Sequence, residues 1–517
     1  MADLDGPGGN HQQEIIVATT NGPANTGGMH WWVYEPNGTV RPGWPRLQST
    51  DLGYAAGAYN ENIAVADLNG DGQAEIIGPS DVHYITAYHN DGSQITVNPM
   101  FNTPADPRQF WSQVGVHVLQ SVDIRGYANC GVEHRPNFAN SAPLLADLLG
   151  NGTLQVVVVG NVYNCGTDPY TDLYEMPFIF NSDRSRWAAG GYDWTVIPTP
   201  DSSAAPLSED YSVIENSLPN PVAADLGGDG QKEILYASYD GRVHAYWLDK
   251  TEHGHWPFHV NDPGDGFLRF ASEPVVADLN GDGQAEVIFA SWTQHGSNQA
   301  GKLYIVSWDG ILINSFDLPR DPSSDFGGSL AAPTLAHLDG DPNLDVVVGT
   351  VDQGLVAYRL AGTANARLLW PTGRGNLGRT GAIVAGNLNA STKRVTPGIV
   401  APGGALTYTL QLMNPDQLLP TVRLTDTLPA NATLLPGTLA ASSGSLQVGA
   451  GLITWHGPVS ASTPITITYV MTVSGGLSQP TAIFNTALID DGLGRVLPRQ
   501  AAAFVNGLQD FLPLLRR

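Results

Sequence analysis

The chain alternates short apolar runs with turn-forming pairs. One stretch shows the pattern: Glu273-Pro274-Val275-Val276-Ala277 is followed by an acidic turn, then Glu286-Val287-Ile288-Phe289-Ala290, then Lys302-Leu303-Tyr304-Ile305-Val306, then the turn Trp308-Asp309-Gly310 and Ile311-Leu312-Ile313. Arg242–Tyr246, Tyr84–Tyr88 (followed by Asn90-Asp91-Gly92) and Leu355–Tyr358 are counterparts of the third run. Short runs bounded by Asp-Gly and Asn-Gly predict antiparallel hairpins. Helical periodicity is nearly absent, so the expected class is all-β.

The acidic turn recurs. Val65–Ile77 reads VADLNGDGQAEII and Val276–Ile288 reads VADLNGDGQAEVI. Weaker copies are AADLGGDGQKEIL from Ala223, LADLLGNGTLQVV from Leu145 and LAHLDGDPNLDVV from Leu335, with an interrupted copy at Ala2–Val17. Their first positions, Asp3, Asp67, Asp147, Asp225, Asp278 and His337, are spaced 64, 80, 78, 53 and 59 residues apart. The longer steps imply insertions, chiefly Asn102–Asn140 and Asp168–Ser217. Four short strands per unit, repeated about six times, predict a six- to seven-bladed β-propeller, in which stacking buries faces that no unit buries alone. Separate sandwiches would need units nearer 100 residues. Gly43-Trp44-Pro45, Trp256-Pro257 and Trp370-Pro371 are expected to supply apolar bulk at blade ends.

After Gly381 the turn disappears. A period-2 run follows at Gly403–Leu412, and further strand-like runs at Val422–Pro429, Pro464–Val473 and Ala482–Ile489. About seven strands in roughly 110 residues predict an immunoglobulin-like β-sandwich. The expected divisions are a propeller over 1–381, a linker over 382–394, a sandwich over 395–506 and a tail over 507–517.

Composition narrows the partners. Asp and Glu outnumber Lys and Arg 49 to 24, for a formal charge of −25. That balance argues against nucleic acid, whose phosphates need basic residues, and favours cations. No run reaches the roughly 18 apolar residues of a membrane span. The two cysteines, Cys130 and Cys165, flank one repeat and fit either a bridge or two free thiols. The chain opens inside a repeat without a visible signal peptide, which reads as a fragment or a misplaced start.

The turn itself is a ligand set. Asp67, Asn69, Asp71 and Glu75 place side-chain oxygens at positions one, three, five and nine, Gln73 offers its backbone carbonyl, and Gly72 permits the bend. Six to eight hard oxygen ligands suit Ca²⁺, and the set contains no His or Cys to favour zinc or copper. The start resembles an EF-hand loop, but strands flank it and its twelfth position is Gly78. Asp278, Asn280, Asp282, Gln284 and Glu286 repeat the set in full, and Asp225, Asp229, Gln231 and Glu233 repeat it with Gly227 in third place. The copies at Asp3, Asp147 and His337 are incomplete. A bare Asx-turn is the competing reading of any single copy.

These residues resemble FG-GAP repeats, also called VCBS repeats, of the integrin α-chain type, over about Met1–Gly381. The resemblance implies one blade per repeat and a Ca²⁺ in each intact loop. Trp370–Gly381 resembles the segment that closes such arrays in bacterial secreted proteins. The second region resembles a bacterial surface repeat found in adhesin stalks, through its Leu406-Thr407-Tyr408-Thr409-Leu410 run, Asn414 and Asp426-Thr427-Leu428-Pro429.

The expected function is a non-catalytic, calcium-binding adhesion or recognition module at the cell surface or outside the cell. Its partner would be a protein or glycan read by the inserted loops. The alternatives are a carbohydrate-active enzyme on a propeller, or the accessory part of a larger secreted hydrolase. No Gly-x-Ser-x-Gly elbow after a strand and no His-Glu-x-x-His occurs. The best polar clusters are Asp81 with His83, His89 and His117, and Glu133-His134-Arg135.

Overall fold

The computed structural model describes residues 1–506 except 7–8, 10–11, 20–27, 49–62, 82, 105–106, 126–134, 139, 164–173, 200, 202, 209, 211–212, 214–216, 337, 339–342, 364–365, 384–387, 415–418, 450, 460–463 and 492–495. Cys130, Cys165, Glu133, His134, His337, Asp339, Asp341, the Asp81 side chain and the 507–517 tail lie outside the described residues. The delineated elements are β-strands and short 3-10 turns, so the protein is all-β. No described helix is long and apolar enough to cross a membrane. The chain divides into two bodies, Met1–Val384 and Ala385–Arg517. The stretch 382–394 expected as a linker is shared between them.

In the N-terminal body each repeat folds locally into an antiparallel sheet of three or more strands. In the second, Ala64–Ala66, Glu75–Asp81 and Tyr84–Tyr88 pair in sequence order; in the fourth, Val222–Ala224, Glu233–Ala237, Arg242–Tyr246 and Phe258–His259 do so. The register is the same throughout. An alanine before the turn stands opposite the turn's ninth-position residue: Ala66 and Glu75, Ala146 and Gln155, Ala224 and Glu233, Ala277 and Glu286, Ala336 and Asp345. Ala2 and Glu14 form the equivalent bridge in the first repeat. The first and second strands of repeats two to five, such as Val222–Ala224 and Glu286–Thr293, are buried on both faces, which explains their unbroken apolar character.

Successive repeats are joined by a recurring tryptophan contact. The Trp44 indole N–H donates to the Asn90 carbonyl at 3.0 Å, Trp111 to Ser182 at 3.3 Å, Trp194 to Leu248 at 2.9 Å and Trp256 to Trp308 at 2.8 Å. In each case the acceptor lies in the turn after the next repeat's third strand. All four rings are buried, and the hydrogen bond satisfies the one polar atom that such burial strands.

Residues 367–383 thread past the first strands of several repeats. Arg367–Trp370 pairs with Val275–Asp278, and Ala382–Ile383 runs parallel to Leu145–Ala146. Between them the Pro371 carbonyl accepts the Leu335 N–H and the Thr380 carbonyl accepts the Val65 N–H, both at 2.8 Å. Arg374, buried, bonds the carbonyls of Ile63 and Pro143.

The C-terminal body has two sheets around one core. Thr392–Thr396, Ala405–Leu412 and Ile465–Val473 form one, with Ala432–Leu434 and Ala440–Ala441 against the last strand. The other runs Ile399–Val400, Val496–Val505, Thr481–Asp490, Leu419–Thr427, Leu452–Val459, Ser445–Gly449. Ile465, Ile467, Tyr469, Met471 and Val473 alternate inward against Leu424, Trp455, Ile483 and Ala503, as period-2 strands require.

Candidate metal centres

The turn is held by its own side chains. In the second repeat Asp67 Oδ1 accepts the backbone N–H of Gly70 at 2.7 Å and of Asp71 at 3.1 Å, and Oδ2 accepts that of Gly72 at 2.9 Å. Asn69 Oδ1 accepts the Asp71 N–H and Asp71 Oδ1 the Gln73 N–H, both at 2.8 Å. Gly72, at φ +90°, takes the left-handed bend that a side chain would resist. Asp278, Asn280 and Asp282 reproduce all five bonds. Asp225 and Asp229 reproduce the set without the third position, where Gly227 has no side-chain oxygen to offer.

The ninth-position side chain closes the turn by a hydrogen bond that its spacing alone did not reveal. Glu75 Oε2 accepts the Leu68 N–H at 2.8 Å, Glu233 Oε2 that of Leu226 at 2.7 Å and Glu286 Oε2 that of Leu279 at 2.7 Å. Glu14 and Leu4, Gln155 and Leu148, and Asp345 and Leu338 make the same bond at 2.8, 3.1 and 3.0 Å. The signal was in the sequence: a leucine at position two and an acid or amide at position nine recur in five copies, and the interrupted first copy has Leu4 at position two and Glu14 three places later than the ninth.

Neighbouring turns are also tied together. The Leu4 carbonyl accepts the Ala74 N–H at 3.2 Å, Leu148 that of Lys232 at 3.0 Å and Leu226 that of Ala285 at 2.9 Å. The Gln231 side chain is held by the Tyr192 hydroxyl at 2.6 Å.

The acids are crowded and penalised. Burial, followed by the charges of Asp225 and Asp229, pushes the Glu233 carboxyl up to about 8 against the pull of the Leu226 N–H. Burial likewise raises Glu75 and Glu286. In the second repeat the Asn69 amide nitrogen lies between Asp71 Oδ2, at 3.1 Å, and Glu75 Oε1, at 3.2 Å. His89 Nδ1 adds a contact of 3.1 Å to Glu75 Oε1, so Asp71, Glu75 and His89 converge within 4.8 Å. His83 and His117 meet ring to ring, with centroids 5.9 Å apart.

Two incomplete copies differ in how their charge is balanced. Asp147, Asn151 and Gln155 hold the N–H groups of Asn151, Gly152, Thr153 and Leu148 with a single carboxylate, while Leu149 at the third position has no side-chain oxygen to add. In the first repeat Arg41 takes the place where opposing charge is needed: its guanidinium bonds Asp5, reaches Glu35 Oε1 at 3.1 Å and lies 3.8 Å from Glu14 Oε1.

At the other end of the first strands lies a cavity of 610 Å³. Asn220, Glu273, Arg374 and Arg379 line it together with Ile63 and Leu377. Glu273 is fully engaged, by the Arg374 N–H at 2.6 Å, the Trp370 indole at 3.4 Å and Asn220 at 3.2 Å.

No curated protein matches the chain. Among solved structures, it is similar to the collagen-binding subdomain of the Enterococcus faecalis surface protein ACE, at 10% identity over 23% of this chain and 96% of that one, with a TM-score of 0.18. The collagen-binding domain of a Staphylococcus aureus adhesin matches at 10% identity over 23% and 97%, TM-score 0.18. A non-cellulosomal cohesin from Archaeoglobus fulgidus matches at 14% over 23% and 91%, TM-score 0.18. The family model described as an FG-GAP-like repeat matches residues 9–78 and 225–289, so the chain carries FG-GAP-like repeats at the two places that hold its three acid-rich turns.

Proposed function

We propose that the chain is a non-catalytic recognition module of the cell surface or extracellular space, stabilised by calcium. Its N-terminal body is read as an integrin-like β-propeller and its C-terminal body as an immunoglobulin-like domain. The observation that carries the calcium reading is the contrast between turns. Asp147–Gln155 keeps the turn with one carboxylate, through the bonds of Asp147 to the Asn151 and Gly152 N–H groups, of Asn151 to Thr153 and of Gln155 to Leu148, so turn formation does not require all the acids gathered at 67–75, 225–233 and 278–286. Those acids are costly without a counter-charge, because burial raises Glu75, Glu233 and Glu286. The first repeat, where Arg41 supplies the charge, supports the same logic.

A hard dication answers the need, with Asp67, Asn69, Asp71 and Glu75, and their counterparts, as its oxygen donors and Gln73, Gln231 and Gln284 placed to offer carbonyls. Its chemistry here is charge neutralisation and cross-linking of the turn. The tryptophan contacts between successive repeats and the residues 367–383 that run along four first strands support a ring of blades. The 610 Å³ cavity at the opposite end of those strands is a suitable place for a protein or glycan ligand.

Calcium titration of the full chain by isothermal calorimetry tests the reading. Binding at two strong sites and a weaker third, with a chelator lowering the thermal transition, is expected. No binding heat and an unchanged transition would refute it. Glycan and cell-surface protein arrays probed with and without calcium test the recognition role.

A further inference from the structure

Three reactive side chains are buried together in the C-terminal body. Lys393 lies in Thr392–Thr396 of one sheet, while Asp426 in Leu419–Thr427 and Asn485 in Thr481–Asp490 belong to the other. The Lys393 and Asp426 side chains are fully buried, and Asn485 is 1% exposed. Lys393 Nζ donates to Asp426 Oδ1 at 2.5 Å and sits 5.5 Å from the centroid of the Tyr408 ring. The Tyr469 hydroxyl donates to Asp426 Oδ2 at 2.6 Å and accepts from Asn485 Nδ2 at 2.7 Å. Asn485 Oδ1 is buried without a hydrogen bond.

An amine bonded directly to a carboxyl group, and a carboxamide joined to that carboxyl group through one hydroxyl, thus share an apolar core with Tyr408, Met471 and Trp455. As a plain ion pair the arrangement is expensive, since both charges lose their hydration and the amide oxygen goes unpaired. As a reaction centre it is well composed. Burial outweighs the pull of Asp426 and lowers the Lys393 ammonium to about 8, which brings the nucleophilic amine within reach near neutral pH.

We propose that Lys393 and Asn485 become joined by an intramolecular amide bond that the folded body forms by itself, with Asp426 carrying the proton. The Lys393 Nζ lone pair attacks Asn485 Cγ. Asp426 accepts the proton that the amine gives up and delivers it to the carboxamide nitrogen. The Cγ–Nδ2 bond breaks and ammonia leaves. One amine and one carboxamide yield one secondary amide and ammonia, with no change of oxidation state and no co-reactant. The bond ties the strand that enters the body to one near its end, across the two sheets. It closes residues 393–485 into a covalent loop and acts as a staple in an all-β body. It stands independently of the calcium turns.

Intact mass of the full chain under denaturing conditions decides the matter. The expected mass lies about 17 Da below that of the sequence, the loss of one ammonia. Proteolysis should release a branched peptide joining Lys393 to Asn485. Lys393→Met and Asp426→Ala should each have their full sequence mass. Asn485→Asp should lose water in place of ammonia, a deficit of about 18 Da, which keeps the test positive in a variant that retains all three groups. A wild-type chain at full sequence mass overturns the proposal, and so does a deficit that persists in Lys393→Met.

Discussion

Replacing Glu286 separates the two tasks of its carboxylate. Oε2 accepts the Leu279 N–H at 2.7 Å in a buried setting. Glu286→Ala leaves that donor unpaired, at a cost of about 2–3 kcal/mol for a buried hydrogen bond to a charged group. Glu286→Gln keeps an oxygen in place. The third repeat already does this, where Gln155 Oε1 accepts the Leu148 N–H at 3.1 Å. Without metal the glutamine variant should therefore unfold within about 0.5–1 kcal/mol of wild type. The amide also escapes the burial penalty that raises the Glu286 carboxyl. With calcium the order changes. A site filled at a hundred times its dissociation constant contributes about 2.7 kcal/mol, and the glutamine variant forfeits most of that at this turn. Urea unfolding, followed by tryptophan fluorescence with chelator and with calcium, measures both terms. Equal stability of the alanine and glutamine variants in chelator would refute the hydrogen-bond argument. An undiminished gain from calcium in Glu286→Gln would remove Glu286 from the ligand set.

Arg41→Gln leaves Asp5, Glu14 and Glu35 without their shared cation, at about 2–4 kcal/mol; calcium should recover part of it, which melting with and without metal would show. Gly228→Ala should cost more than Gly70→Ala. Both glycines are left-handed, at φ +77° and +79°, a strain of about 1–2 kcal/mol for alanine, but a Cβ at 228 would lie 2.4 Å from the Gly283 carbonyl oxygen while one at 70 meets nothing within 4 Å. Equal unfolding midpoints would deny the contact between turns. His244 is buried between Asp240, at 3.1 Å, and Glu252, at 3.2 Å. Burial alone would lower its imidazole, yet the charge and hydrogen bond of Asp240, with Glu252, raise it to about 10. The folded chain thus keeps a proton that the unfolded chain loses above about pH 6.5, so this contribution is complete below that value and disappears as pH rises through about 10. Urea midpoints over that range should decline less steeply in His244→Gln than in wild type.

Much of this architecture was legible from the chain alone. Short apolar runs between Asp-Gly and Asn-Gly pairs specified strands and hairpins, because pleated strands and tight turns depend on neighbours in sequence. The six copies of the turn announced a repeating unit, and the oxygen spacing of Asp67–Glu75 marked the candidate ligands. Leucine at position two and an acid or amide at position nine were visible as well, but their hydrogen bond was not, since it depends on the register that sets Ala66 opposite Glu75.

The remaining features were decided in three dimensions. Arg41 joins Asp5 from a different hairpin, and Trp44 finds the Asn90 carbonyl in the next repeat. Arg374 reaches the carbonyls of Ile63 and Pro143 across hundreds of residues. Lys393, Asp426 and Asn485 are three unremarkable letters in separate strands until two sheets close over them. Local sequence sets backbone conformation and which face of a strand is apolar. Which distant polar groups are shut into the same dry space is set by packing alone, and there an unmet charge or an idle amide becomes costly enough to demand a partner.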